Sequence, residues 1–269
     1  MLGNKKIMTL LLPFLSFLIG IIVGLTGIGG ASLITPMLIF VFQVPPAVAV
    51  SSDIVAATMM KVVGGVRHWQ QETLDCEVVK WLAFGSVPGS LVGVGILYLM
   101  RQMGILNLDS ILLHLIGGMI LLVVFLGITQ LIIKRFFPSF ELPEPPKFDL
   151  STFSGRLKTM CIGAILGSMV GITSVSSGSL FAMVLITFFR LDPKKLVGTD
   201  LAQAAILLSF TSLGHILLGT VDWGLVIPIW IGTIPGVMLG TKLCQLIPQG
   251  ALKVVIYAML FGVSCKLVY

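Results

Sequence analysis

Two stretches of this sequence could bind an anion without any cationic side chain: "GLTGIGGASL" at 24–33 and "GITSVSSGSL" at 171–180. Each interrupts a hydrophobic segment. A helix that starts inside a membrane offers up to four unpaired backbone N–H groups and a partial positive charge at that end. Both attract anions. In the first stretch Gly27, Gly29 and Gly30 free the backbone and Ser32 adds a hydroxyl. In the second, Ser174, Ser176, Ser177 and Gly178 tolerate the break, and Ser176, Ser177 and Ser179 bring three hydroxyl donors able to replace hydration waters on an oxyanion. Small residues also let helices pack closely, but packing does not require the next segment to be short. The apolar runs at 31–43 and 178–190 have 13 residues each, roughly 20 Å of helix against a ~30 Å hydrocarbon core.

A second set of polar residues is paired in the same way. "SSDIVAA" (51–57) and "GTDLAQA" (198–204) place Asp53 and Asp200 inside apolar segments, where a carboxylate costs ~2.5–3.5 kcal/mol on insertion scales. Each therefore faces a polar cavity, as a proton acceptor or pathway wall, or caps its helix near an interface with help from Ser51, Ser52 and Thr199. Gln203 is close enough in sequence to Asp200 to share a cavity with it. His68 and His215 end their segments, which suits an interfacial position with the ring tip among headgroups; the functional alternative is a gate or proton relay. Lys61 either snorkels or offers positive charge to an anion. "GSVPGSLVG" (85–93) and "GTIPGVMLG" (232–240) put Pro88 and Pro235 inside helices between glycines spaced by four, read as kinks or hinges with close helix contact.

The elements that must position these residues follow from composition. The 269-residue chain is 57% hydrophobic and 10% charged, with mean hydropathy +1.09. A soluble domain carries roughly 25% charged residues, so this is an all-α polytopic membrane protein; its apolar runs are too long for barrel strands. Hydrophobic segments fall at 7–26, 31–43, 47–67, 76–100, 109–134, 159–173, 178–190, 194–218, 223–247 and 250–268. The first is kept as a membrane helix, since no small-x-small cleavage site ends it. A proline-rich polar stretch at 135–158, expected in the cytoplasm, joins a first repeat (1–134) to a second (159–269).

The repeat is visible as a gapless shift of 147 residues, which gives 21 identities over the 78 positions 20–97. Among them are Asp53 with Asp200, His68 with His215, Asp75 with Asp222, and Pro88–Gly89 with Pro235–Gly236. Apolar bias matches Val and Leu by chance; it does not align Asp, His and Pro–Gly in one register. The expected architecture is two homologous repeats of about five segments, giving eight to ten transmembrane helices with broken or re-entrant helices at 24–43 and 171–190. Five segments per half invert the second repeat, and that topology places 13 of 17 basic residues on the cytoplasmic side, leaving Lys5, Lys6, Arg101 and Lys266 outside.

Taken together, "GLTGIGGASLITPML", "VPPAVAVSSD", "RHWQQETLD" and the diverged "KLVGTDLAQA" resemble the TauE/SafE family across almost the whole chain, apart from the linker and last helix. The resemblance implies a multi-pass secondary transporter in the cell membrane, exporting a small inorganic or organosulfur anion such as sulfite or a sulfonate. The family is usually drawn with fewer spans than the ten segments counted here. A passive anion channel, or a membrane partner protein without transport activity, are the alternatives. No P-loop or H-E-x-x-H occurs, the three histidines are scattered, and the four cysteines (Cys76, Cys161, Cys244, Cys265) show no ligand spacing. No enzyme, cofactor, metal or nucleic-acid partner is therefore expected. A homodimer is an allowed assembly.

Overall fold

The computed structural model describes residues 2–26, 30–104, 107–136, 146–175, 178–243 and 249–268. Those residues form ten helices and no strand: α1 (Leu2–Thr26), α2 (Ala31–Phe40), α3 (Pro46–Gln70), α4 (Cys76–Gln102), α5 (Leu108–Phe136), α6 (Phe153–Thr173), α7 (Ser179–Val184), α8 (Pro193–Leu217), α9 (Trp223–Leu243) and α10 (Gln249–Val268). A π-helical turn, Leu185–Phe189, continues α7. The ten predicted segments each correspond to one helix. Six of these helices are long and apolar enough to cross a membrane: α3, α4, α5, α6, α8 and α9. As expected, α2 and the α7 segment are shorter.

Helix ends follow local chemistry. The Asp75 carboxylate accepts the Val78 N–H to start α4, and the Thr152 hydroxyl accepts the Gly155 N–H to start α6. That cap begins α6 at Phe153, six residues before the predicted apolar run, because the polar first turns of a spanning helix sit outside the hydrocarbon. Pro193 opens α8, where its missing N–H costs nothing. The near end of the linker is packed: Phe148 donates its N–H to the Phe188 carbonyl and stacks on that ring at 4.6 Å.

Burial is arranged for lipid. Leu10, Phe14, Phe125, Phe210 and Leu217 are exposed, while Ser32, Thr35, Ser52, Asp53, Thr199, Gln203 and His215 lie inside. Polar groups within a bundle and apolar groups around it are what a hydrocarbon solvent selects. Cys76 and Cys161 also face outward.

Two glycine stripes bring helices into backbone contact. An added methyl at Gly85, Gly89 or Gly93 of α4 would overlap the carbonyls of Met160, Ala164 or Ser168 of α6. One at Gly232, Gly236 or Gly240 of α9 would overlap those of Pro13, Phe17 or Ile21 of α1. In both pairs the residue numbers rise together, so the helices run parallel. The second set of contacts is the first with partners exchanged and 147 added or subtracted throughout. Between α3 and α8 the numbers run oppositely: Ser51 meets His215, Thr58 bonds to the Leu208 carbonyl, and Gly64 faces Leu201. These two helices are antiparallel. Of the six left-handed backbone positions among the described residues, four fall in corresponding pairs, Gln43 with Arg190 and Glu72 with Gly219.

Candidate functional site

The site is built where α2 and the end of α6 meet α3. Gly30 precedes α2 and Gly178 precedes α7, and neither start has a side-chain cap. With no side chain taking up the first-turn N–H groups, each start keeps donors for a ligand. Ser32 is buried in the first turn of α2, and the Ser179 hydroxyl at the start of α7 is buried with no hydrogen-bond partner. Gly29, Ser176 and Ser177 lie outside the described residues.

Asp53 links the two breaks. It lies two turns inside α3 and is fully buried. Its Oδ2 accepts 2.6 Å from the Thr35 hydroxyl of α2 and 2.9 Å from the Ser174 hydroxyl, and its Oδ1 has no partner. Ser174 ends α6 in the left-handed conformation (φ 61°), the backbone turn that aims its hydroxyl inward. No sequence pattern marks Thr35 and Ser174 as ligands of Asp53. Both do lie in or beside the two broken stretches, and that was the available signal.

Asp200 has the corresponding position in α8 and different company. Lys61 approaches its Oδ2 at 3.2 Å, with both side chains largely buried, and Oδ1 is again unpartnered. Lys61 therefore neither snorkels nor stays free for an anion. One turn along α8, Gln203 donates to the Ser86 hydroxyl at 3.0 Å and leaves its own carbonyl oxygen unsatisfied. Neither aspartate caps a helix. Ser52 and Thr199 do serve helix starts, but those of the other half: Ser52 accepts the Asp222 N–H and Thr199 the Asp75 N–H, each at 3.0 Å.

The histidines separate. His215 is completely buried rather than interfacial. Its Nε2 lies 3.0 Å from the Gly171 carbonyl, which can only accept, so that nitrogen carries hydrogen. Its Nδ1 then accepts from Ser51 at 2.8 Å, and Thr220 lies 2.7 Å behind Ser51. The Ala47 carbonyl, 2.8 Å away, competes for the same Ser51 proton. The ring thus ties α3 to α6. His68 is half-buried at the end of α3, with Nδ1 on the Thr73 hydroxyl at 2.8 Å, and is bonded within its own turn. It touches neither aspartate. A cavity of about 530 Å³ beside that turn, lined by Val66, Trp69, Gln70, Glu72, Leu74 and Cys76, contains none of the predicted site residues. Among the described residues no three His, Cys, Asp or Glu are grouped to hold a metal.

An all-helical bundle with apolar exterior, buried carboxylates and six helices long and apolar enough to span defines a multi-pass membrane protein with a polar interior. Its relatives carry the class further. The family model described as "Sulfite exporter TauE/SafE" matches residues 12–267, and the chain belongs to that family. It is 33% identical over 262 residues to "Probable membrane transporter protein YjnA" of Bacillus subtilis (strain 168), covering 97% of this chain and all of the relative. It is 25% identical to "Probable membrane transporter protein YdhB" of the same organism, covering 92% and 95%. No solved structure matches. The fold and these relatives make the protein a membrane transporter.

Proposed function

We propose that the protein is a secondary transporter of a small anion, in the class of sulfite, a sulfonate or another sulfur oxyanion, working by alternating access between two inverted repeats. The family description "Sulfite exporter" supports the substrate class and the outward direction. The observation that carries the reading is Asp53, which bonds Thr35 in the helix that starts uncapped at Gly30 and bonds Ser174, four residues before the second uncapped start at Gly178. Ser32 and Ser179 add hydroxyls there; Gly29, Ser176 and Ser177 belong to the same proposed site. Asp53, Asp200, Gln203 and His215 form the polar interior that couples or gates, and His68 stands at the far end of α3. Inversion is supported by the antiparallel α3–α8 pair and by the exchanged glycine contacts: equivalent helices that run oppositely are related by an axis in the membrane plane.

The test is flux of labelled sulfite, sulfate and methanesulfonate into liposomes containing the purified protein. Saturable movement of at least one anion, stimulated by unlabelled anion on the far side, is expected; conductance far above carrier turnover would instead indicate a channel. Gly30→Trp should reduce that flux by at least about tenfold, since misplacing binding groups by about 1 Å can already cost about 100-fold. A Cβ at Gly30 meets only Ile34 and Val23 side chains at 3.5 and 3.7 Å, so Gly30→Ala should insert and extract normally. Full flux in a well-folded Gly30→Trp protein would remove the break from the pathway.

A further inference from the structure

We propose that Asp53 is the proton carrier of this transporter: its carboxyl takes up one proton with each anion bound and gives it up when the anion leaves, whereas Asp200 is held by Lys61 and does not. The proposal rests on the anion-transport reading above and assigns its coupling.

The two aspartates occupy corresponding positions 147 residues apart, so their differences matter more than their likeness. Asp200 has a lysine at 3.2 Å; Asp53 has no cationic partner among the described residues. The residue corresponding to Lys61 is Leu208. Asp53 receives two hydroxyl bonds, and both converge on Oδ2. The 2.6 Å contact with Thr35 is in the range of charge-assisted bonds, so Oδ2 is the oxygen prepared to hold negative charge. Oδ1, fully buried and unpartnered, is the one left to hold hydrogen.

A buried carboxylate without a counter-charge is expensive and repels an incoming anion. Protonated at Oδ1, the same group becomes a buried hydrogen-bond donor with no protein acceptor. An oxyanion oxygen is then the acceptor it lacks. Anion and proton each make the other's binding more favourable, and by linkage the two couplings are equal. The O–H bond forms at Oδ1 on loading and breaks to water on release, with no other bond changed.

Ionisable groups on the elements packed around α3 do not compete for this role. On α8, Asp200 is paired with Lys61, and His215 has both ring nitrogens engaged by Ser51 and the Gly171 carbonyl. The residues of α2 include none that ionise, and Lys242 of α9 is exposed. On α5, Asp109 and His114 lie in the opening turns and Lys134 and Arg135 at the other end; on α6, Arg156 and Lys158 are in the opening turns, far along the helix from Ser174. Lys194 and Lys195 are in the first turn of α8, and Lys61, Arg67 and His68 are on α3 itself, His68 bonded to Thr73 at the far end.

Proton and anion then travel the same way. An inward proton gradient drives the anion inward, and export requires an outward anion gradient that exceeds it.

The experiment uses full-length protein in liposomes, with labelled methanesulfonate, whose charge is constant between pH 5 and 9, and a lumenal pH dye. Should sulfite alone move, it replaces methanesulfonate at a fixed external pH. One proton per monoanion predicts about tenfold accumulation per unit of pH difference. Asp53→Asn, which keeps the acceptor for Thr35 and Ser174, should abolish accumulation and bring protons per anion from one to zero in whatever flux remains. In detergent, adding the anion to wild-type protein should cause uptake of about one proton, and to Asp53→Asn none. Thr35→Val, which removes a donor that favours the charged form, should extend anion binding to higher pH. Accumulation or proton uptake that persists in Asp53→Asn, or anion binding to wild type without proton uptake, overturns the proposal and leaves transport standing. Absence of any anion flux or binding in wild type overturns the transport reading and this one with it.

Discussion

Lys61→Met should lower the stability of the detergent-solubilised protein by about 3 kcal/mol, and adding Asp200→Asn to the same chain should restore most of it. Lys61 and Asp200 approach to 3.2 Å with side chains only 14% and 12% exposed. Asp200 Oδ1 already lacks a partner, so Oδ2 has no alternative when the lysine goes. Breaking a buried pair from one side costs about 3–5 kcal/mol, because the remaining charge stays buried and alone. Protonation of the abandoned carboxyl limits the loss to the lower part of that range. Methionine has nearly the volume of the lysine stem, so the change removes charge and not packing. The double variant buries no ion, and replacing both members of such a pair is often close to neutral; it should lie within about 1 kcal/mol of wild type. The check is a double-mutant cycle on thermal or denaturant midpoints. Single and double variants of equal stability would mean that the pair is solvated and that water reaches this level of the bundle.

The same pair shows where sequence reading stops. Asp53 and Asp200 stand out because any carboxylate in an apolar run is conspicuous, and their pairing stands out because one shift aligns them with His68/His215 and Pro88/Pro235. The helices themselves are equally legible: apolar runs, Asp75 before α4, Pro193 opening α8, glycines spaced by four on α4 and α9. Each of those signals is local. Which residue of α3 faces which residue of α8 depends on the register of two helices 147 residues apart, and no local pattern records it. Lys61 on Asp200, Ser52 on the Asp222 N–H and the burial of His215 all follow from that register. His215 ends its helix in sequence, yet α3 and α6 close over it; a helix end is at an interface only when nothing packs beyond it. Thr35 and Ser174 could be suspected of lining the breaks, but their convergence on one oxygen of Asp53 requires the two halves to be docked.

Gly89→Leu and Gly236→Leu should each prevent recovery of monodisperse protein, and by similar amounts. A Cβ at Gly89 would sit inside the carbonyl of Ala164, and one at Gly236 inside that of Phe17. These obstacles are backbone atoms of a neighbouring helix, so no rotamer change relieves them; the helix pair must separate along its length. Extra methylenes in a packed interior cost about 1–3 kcal/mol each when neighbours can shift, so a leucine against rigid backbone should exceed about 3 kcal/mol. Separation also forfeits the van der Waals contact that drives helix association where lipid offers no hydrophobic gain. Gly95 and Gly118, inside α4 and α5, have nothing within 4 Å of the same construction. Gly95→Ala and Gly118→Ala should leave stability unchanged or raise it by up to about 1 kcal/mol, the helix-propensity gain. Extraction yield, size-exclusion profile and thermal midpoint of the four variants separate steric obstruction from glycine's backbone effect. The glycine contacts of α4 on α6 recur between α9 and α1 at the same spacing and with the same kind of backbone obstacle, so damage to either should cost the same. A tolerant Gly236→Leu beside an intolerant Gly89→Leu would mean that α1 is a peripheral helix, and that only one half of the bundle is locked.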